Sequence, residues 1–574
     1  MTTEKNNDIE TTTETSRRDF LKLSATSGTA LAAGAALGLG GASSANADDF
    51  NPFQFEPSSP LGNRALKAAE INIRAANQQF RETLRLPTQF DNNDERRYAS
   101  QNFYASYSKC LPCNQFGEVN PASFRQLQRA MRTGAEADFQ AIVLDATSDR
   151  GLVSPQAAFK FELSGLDSHA TRINASHTFR SADIAGEMAE VYWQALTRDV
   201  PYSEYDSNPL TNAAVADLNN FTVTPGSFNN GETTTANLFR GETPGDLAGP
   251  YVSQLLLKDF SYGSVDVVQR YEKGVEGVNF MVDEANWLNV QKGATPNETL
   301  EFDPVKRYIF NARTMAEYVH RDLTFSAYLQ AALVMLSYGP GAVEQNFPYV
   351  NGGNQEGFAT FGTPYILDLI ARAGNLALTG AWFHKWRVNR FLRPEAYAGR
   401  VNFMTKGQRS YELHSDILNS DAVSRLMSEN GTALCPQAFT EGSPTHPSFP
   451  AGHACYSGSC ATVLKALFNE DFVIPDPVFA DNTGENLLPY TGSDDLTLRG
   501  EINKLANNIA LGRDGAGVHY RQDGVQGLLV GEQQAITLLR DASETVNEAQ
   551  FGGFSLTKFD GTRILIRDRQ VITL

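Results

Sequence analysis

The chain has 574 residues, 41% hydrophobic and 10% aromatic, which is enough apolar material for a large core and excludes a disordered chain. Its formal net charge of −18 excludes a broad nucleic-acid surface or an anionic-membrane partner, because both need an excess of Lys and Arg. Any anion site must therefore be a local basic cluster inside an acidic protein.

At the N-terminus, SRRDFLK over 16–22 is a twin-arginine signature. It precedes a weakly apolar, Ala- and Gly-rich stretch, and Ala45-Asn46-Ala47 offers a small-residue cleavage site before Asp48. Residues 1–47 are expected to be a signal peptide for the twin-arginine route, leaving the mature protein periplasmic or extracellular. No later segment has the roughly 18 unbroken apolar residues that a span needs, so no stable membrane insertion is expected. The remainder divides into a helical region with long loops, 48–360, and a helical region that carries the site and a terminal hairpin, 361–574. The two are expected to pack as one compact domain.

Helical periodicity dominates the mature chain. Residues 63–84 place Leu66, Ala69, Ile73 and Ala76 on one stripe, and 314–338 reads as a single buried helix. Five cysteines in an exported chain permit two disulfides. Cys110 and Cys113 form a CLPC whose following Asn114 excludes covalent haem attachment, so a local disulfide or a plain buried pair is expected. Cys435, Cys455 and Cys460 read as structural. Residues 202–250, rich in Asn, Thr, Gly and Pro, read as a long surface excursion. Helices are expected again over 361–398, 453–468, 498–511 and 524–541. In the tail, Asp560-Gly561 predicts a primed hairpin turn, with Ile564 and Ile566 on one strand face. The fold class is mainly α: a large helical body with a small C-terminal β-hairpin.

Three clusters converge on an anion. In WFHKWRVNRFLRP, Lys385 and Arg393 stand about two helical turns apart and share a face, with Pro394 ending the helix. Such a basic helix end is usually a solvated face. Here Trp382, Phe383, Trp386 and Phe391 around it argue that part of the charge is held inside, and Trp382 and His384 are candidates to line a pocket. In PTHPSFPAGHACYSGSC, Pro450 and Gly452 set up a helix start whose free N–H groups form an anion cradle, with His453 in its first turn and His446 seven residues earlier. In NIALGRDGAGVHYRQDG, Arg513 ends one helix and His519 begins the next. Asp523, four residues on, can accept the Nδ1 proton of His519, fixing the tautomer and leaving Nε2 free as nucleophile or metal ligand.

Lys385 with Arg393-Pro394, then Pro447-Ser448 and Gly452-His453, then Arg513 with His519, resemble the vanadium-dependent haloperoxidases and their relatives the acid phosphatases. The texts THPSFPAGHA, ATVLKAL, GEINKLANNIALGR and HYRQDGVQGLL look most like the bromoperoxidases of marine algae and cyanobacteria. The likeness covers most of the mature chain and is densest between 360 and 550.

The resemblance implies a vanadate cofactor bound through His519 Nε2. Lys385, Arg393 and Arg513 would neutralise its oxygens and Gly452 would donate its backbone N–H. His453 would be the acid–base for hydrogen peroxide, and Lys385 would polarise the oxygen that reacts. His446 matches a position where the bromoperoxidases carry histidine, which favours bromide, with iodide the easier oxidation. Hypohalous acid would then halogenate an organic acceptor. Algal relatives suggest a homo-oligomer, a dimer or larger. One position departs from the family pattern: Ala451 stands where serine is usual, which removes one hydrogen bond to the oxyanion. Two other readings stay open at this point. One is an acid phosphatase with His519 as nucleophile; the other is a non-catalytic exported oxyanion-binding protein.

Overall fold

Every residue of the Gly452–Leu467 helix except His453 is buried, as expected of a helix apolar on all sides at the centre of a bundle. In the computed structural model it packs against Arg521–Ser543, Thr363–Trp382 and Leu498–Gly515. Small residues set the spacing. A Cβ added at Gly531 would lie 2.0 Å from the Cys455 carbonyl oxygen, so the Arg521–Ser543 helix can approach this closely only with glycine there. The expected helices at 453–468, 498–511 and 524–541 are thus the core of the molecule, each within a few residues of its predicted bounds.

The structure describes residues 64–226, 231–350 and 353–574, so the expected signal peptide and its cleavage site lie outside the described residues. The chain divides into two units, Met1–Glu70 and Ile71–Leu574, and the site lies wholly in the second. Among the described residues no helix is long and apolar enough to cross a membrane. Sheet is confined to small antiparallel pieces. The C-terminal one has three strands rather than a hairpin's two: Phe554–Thr557, Arg563–Arg567 and Gln570–Thr573. Ile564 and Ile566 face the core together, as their alternation predicts. The turn before them is longer than a primed two-residue turn, because Thr557 pairs with Arg563 and only Gly561 of the central pair takes positive φ.

Several sequence expectations are corrected. The run 314–338 is two helices, Ala312–Arg321 and Ser326–Ser337, separated by a break in which Phe325 takes a left-handed φ of 60°. Residues 202–250 are not merely a surface excursion: they contain the Pro209–Leu218 helix and bury Leu238, Phe239 and Arg240. The stripe on the Arg64–Leu84 helix is not a core face, since Ile73 is 49% exposed and Ala76 is exposed too. All five cysteines are free thiols, so the CLPC is unbridged; Cys435, Cys455 and Cys460 fill the core as expected.

Candidate active site

The Thr363–Trp382 helix does not run on to Pro394. It widens into a π-helical turn over Phe383–Asn389, and the chain reverses at Arg390, whose φ is 36°. Pro394 then starts a new helix, Pro394–Thr405, with Arg393 as its N-cap. Lys385 and Arg393 therefore do not share a helix face. They converge because a π turn rotates the first inward and the helix start presents the second. Lys385 Nζ donates to the carbonyl oxygens of Pro447 (2.9 Å) and Ser448 (2.6 Å).

Arg393 ties the three sequence clusters together. Its Nη1 donates to Val518 O and to His519 Nε2, both at 2.8 Å; Nε donates to His446 O at 3.0 Å and Nη2 to His446 Nδ1 at 2.9 Å. A guanidinium can only donate, so His519 Nε2 must carry a lone pair and the ring proton sits on Nδ1. That proton meets Asp523 Oδ2 at 2.7 Å, and the same oxygen accepts from Ser448 Oγ at 2.5 Å. His519 precedes the Arg521–Ser543 helix rather than beginning it. Asp523 still reaches it because Asp523 is the third residue of that helix and folds back over its start, with the Tyr520 N–H at 3.3 Å.

Of these groups His446 and His519 line a cavity of about 180 Å³, with Trp382, Gly452, His453 and Arg513 among the other lining residues. Arg513 donates from Nη1 to Val319 O at 2.8 Å, and its buried Nε has no partner among the described residues. The first-turn amides of the Gly452–Leu467 helix also lack a side-chain cap, because their N-cap is Ala451. The electrostatics run the same way. Burial, reinforced by Arg393, pushes the Lys385 pKa well down, and burial lowers Arg393 to about 10. Burial and the cations Arg393, Lys385 and Arg513 depress His519 strongly; His446 is depressed by burial, Lys385 and Arg393. Burial holds Asp523 up to about 6 against the pull of Ser448 and the same cations. Like charges crowded in a dry site raise one another's free energy, and an incoming oxyanion relieves that strain. A tetrahedral oxyanion therefore fits the residues present: three cations, open helix amides, an unpartnered guanidinium nitrogen and the His519 Nε2 lone pair, which accepts from Arg393 here and is of the kind that coordinates a metal.

Across the cavity His453 is held differently. Its Nε2 lies 2.9 Å from Asp322 Oδ1, and its side chain is 25% exposed. Burial, Arg513 and Lys385 lower its pKa while Asp322 opposes them. Asp322 was missed by sequence reasoning, since it occupies the break inside what reads as one helix. Trp382 lines the cavity as expected, its ring centroid 4.9 Å from that of His446. His384 does not: it is fully buried elsewhere, with Nε2 2.9 Å from Thr171 Oγ1.

The chain as a whole is similar to known proteins. A family model described as the VCPO second helical-bundle domain matches residues 373–548. The chain is 36% identical to a vanadium-dependent bromoperoxidase of Ascophyllum nodosum over 479 residues, 80% of this chain and 85% of the relative. It is 30% identical to that of Corallina pilulifera over 600 residues, 89% of this chain and all of the relative. The chain belongs to the vanadium-dependent bromoperoxidase family. Its fold agrees too: the homohexameric structure of the second vanadate-dependent bromoperoxidase from Ascophyllum nodosum superposes with a TM-score of 0.85 at 28% identity, covering 94% of this chain and 96% of that one. The mainly helical architecture, with its small antiparallel sheets, is that of this bromoperoxidase family.

Proposed function

We infer that the protein is a peroxidase that uses hydrogen peroxide to oxidise bromide, and iodide more easily, to hypohalous acid, which then halogenates organic acceptors. The observation that carries this reading is the His519 imidazole, with its Nδ1 proton fixed on Asp523 and its Nε2 lone pair turned toward buried cations. Vanadate is the group these residues suit. His519 Nε2 would coordinate it, Lys385, Arg393 and Arg513 would neutralise its oxygens, and the Gly452 N–H would donate to it. When bound it supplies a Lewis acid that activates peroxide without changing its own oxidation state.

The protein's own work is then positional and protonic. Asp523 and Ser448 hold the His519 ring in one tautomer. His453, with Asp322 behind it, takes a proton from incoming peroxide and returns one to the leaving oxygen. Lys385, anchored on two carbonyls, offers its remaining N–H to the oxygen that halide attacks. His446 has Nδ1 committed to Arg393, so it fixes that guanidinium and walls the cavity beside Trp382.

The test is a bromination assay on purified protein with vanadate, hydrogen peroxide and bromide, beside phosphate-monoester hydrolysis without vanadate. Vanadate-dependent bromination that phosphate suppresses by competition is expected. No bromination after vanadate loading, with phosphatase turnover instead, would assign the site to phosphoryl transfer with His519 as nucleophile. The twin-arginine motif supports export of the folded protein and cleavage after Ala47, which N-terminal sequencing of the exported form would check. The hexameric relative supports a homo-oligomer, measurable by light scattering.

A further inference from the structure

The chemistry above leaves one buried phenol unused. Tyr456 follows His453 by three residues in the Gly452–Leu467 helix, so both side chains lie on one face. It lines the same cavity as His453 and His519, is 3% exposed, and its ring centroid lies 5.3 Å from that of His453. Its hydroxyl donates to Asp322 Oδ2, while Oδ1 of the same carboxylate meets His453 Nε2 at 2.9 Å. A carboxylate held at one oxygen can swing about its broad terminal torsion, whereas one held at both cannot.

We propose that Tyr456 is a positioning residue for halide oxidation: by holding the second oxygen of Asp322, it fixes which nitrogen of His453 carries the proton and where that ring points in the cavity. This rests on the reading of His453 as the acid–base group. A purely space-filling role would need a ring but no hydroxyl, and the hydroxyl is spent on the one carboxylate that touches His453. The charged groups facing His453 come from several elements: Asp322 from the break after Ala312–Arg321, Arg513 from Leu498–Gly515, and Lys385 from the π turn, with His446 and His519 across the cavity. Asp322 is the carboxylate among them. Its charge is shared between phenol and imidazole, so removing either partner shifts what the other receives.

Tyr456→Phe, Asp322→Asn and the double variant test this. In Tyr456→Phe, kcat should fall by about tenfold, with vanadate affinity and the peroxide KM within about twofold. The acid limb of the pH profile should move to higher pH, because the whole Asp322 charge then stabilises the imidazolium. In Asp322→Asn the limb should move to lower pH, and adding Tyr456→Phe should cost nothing more. Histidine-labelled NMR of the vanadate-free protein provides a readout independent of turnover: one His453 tautomer in the parent, exchange between two in Tyr456→Phe. A parent-like kcat and a single tautomer in Tyr456→Phe would overturn the proposal, as would losses that multiply with Asp322→Asn. Should Tyr456→Phe not fold, an unchanged His453 tautomer in Asp322→Asn would overturn it as well. Because the NMR signal needs no cofactor, a parent inactive in bromination would refute the peroxidase reading and leave this geometry to be judged separately.

Discussion

The two sides of the cavity are built on different principles. On the cation side, Lys385, Arg393, Arg513 and His519 are each no more than 4% exposed, and the three cations are anchored on backbone carbonyls, which do not titrate or turn. On the proton side, His453 is a quarter exposed and is held by two other side chains through Asp322. Backbone anchoring suits residues that must hold a fixed charge pattern through every turnover. Side-chain anchoring suits a group that must exchange protons, because it leaves the ring in contact with solvent and its basicity adjustable. On the proposed function, the rigid side binds and the adjustable side turns over.

The sharpest way to break this contrast is to remove the lone pair and its support in turn. His519→Ala should weaken vanadate retention by more than about a hundredfold, and Asp523→Asn by about tenfold to a hundredfold, because the amide no longer fixes the Nδ1 proton with a charged acceptor. Equilibrium dialysis with vanadate measures both. Retention unchanged in Asp523→Asn would mean that Arg393, rather than Asp523, sets the His519 tautomer, and the division between the two sides would need redrawing.

A smaller effect should appear as acid sensitivity of the vanadate-free protein. Burial lowers His384 to about 3 and pushes His446, His453 and His519 down as well. A histidine with a depressed folded pKa binds fewer protons when folded than when unfolded, so its contribution to stability is full above the unfolded value of about 6.5 and is lost as pH falls below it. Each such group can remove up to about 2 kcal/mol by pH 5. His177 and His320, whose carboxylate partners outweigh burial and raise them, work in the opposite direction, as do Asp94, Asp246 and Asp523, which burial raises to about 6. The site's own share is isolated by His519→Ala: between pH 7 and pH 5 the vanadate-free parent should lose more Tm than the variant, and saturating vanadate should restore part of the parent's loss through preferential binding to the folded state. Equal losses in parent and variant would show that the cation side is not as dry as its burial implies.

The same division decides how much could be read from the chain. The cation side was legible because its parts are local: Gly452 at a helix start, and Arg513, His519 and Asp523 within one turn-and-helix unit. Lys385 and Arg393 were found through a mistaken geometry. A helix-face argument paired residues that a π turn and a reversal at Arg390 bring together, since no proline or glycine within 383–393 announces the break. On the proton side His453 was legible at its helix start, but its supports were not. Asp322 is 131 residues from His453, and the break that frees it turns at Phe325, a residue that rarely takes positive φ and so gives no sequence signal. Tyr456 reads as one more core aromatic until Asp322 is known. The cysteines were half legible: Cys435, Cys455 and Cys460 are the structural core residues they read as, whereas counting thiols left a bridge and an unbridged pair both open at Cys110 and Cys113, and the structure has the unbridged one.

Ala451 gives the smallest test and the one that bears directly on the seam between the two sides. It is fully buried and caps the helix that carries both Gly452 and His453, yet it has no side-chain acceptor. Other described helices, among them those led by Asn120, Ser181, Asn208, Asp283, Asn311, Ser420 and Thr497, begin with a side-chain cap. The uncapped start at Gly452 lines the cavity, so a ligand there can take its amides. Ala451→Ser adds a hydroxyl that can accept from those amides or donate to an oxyanion, but not serve both at full strength. Capping alone would raise the stability of the vanadate-free protein by about 1 kcal/mol and leave vanadate affinity unchanged or slightly weaker. Donation to the oxyanion would instead tighten vanadate by about fivefold, the equivalent of one hydrogen bond near 1 kcal/mol. The second outcome is expected, because Lys385, Arg393 and Arg513 draw the oxyanion toward that end of the helix. Thermal unfolding without vanadate and dialysis with it separate the two, and a gain in stability with no gain in affinity would place the ligand farther from the helix start than the cation side implies.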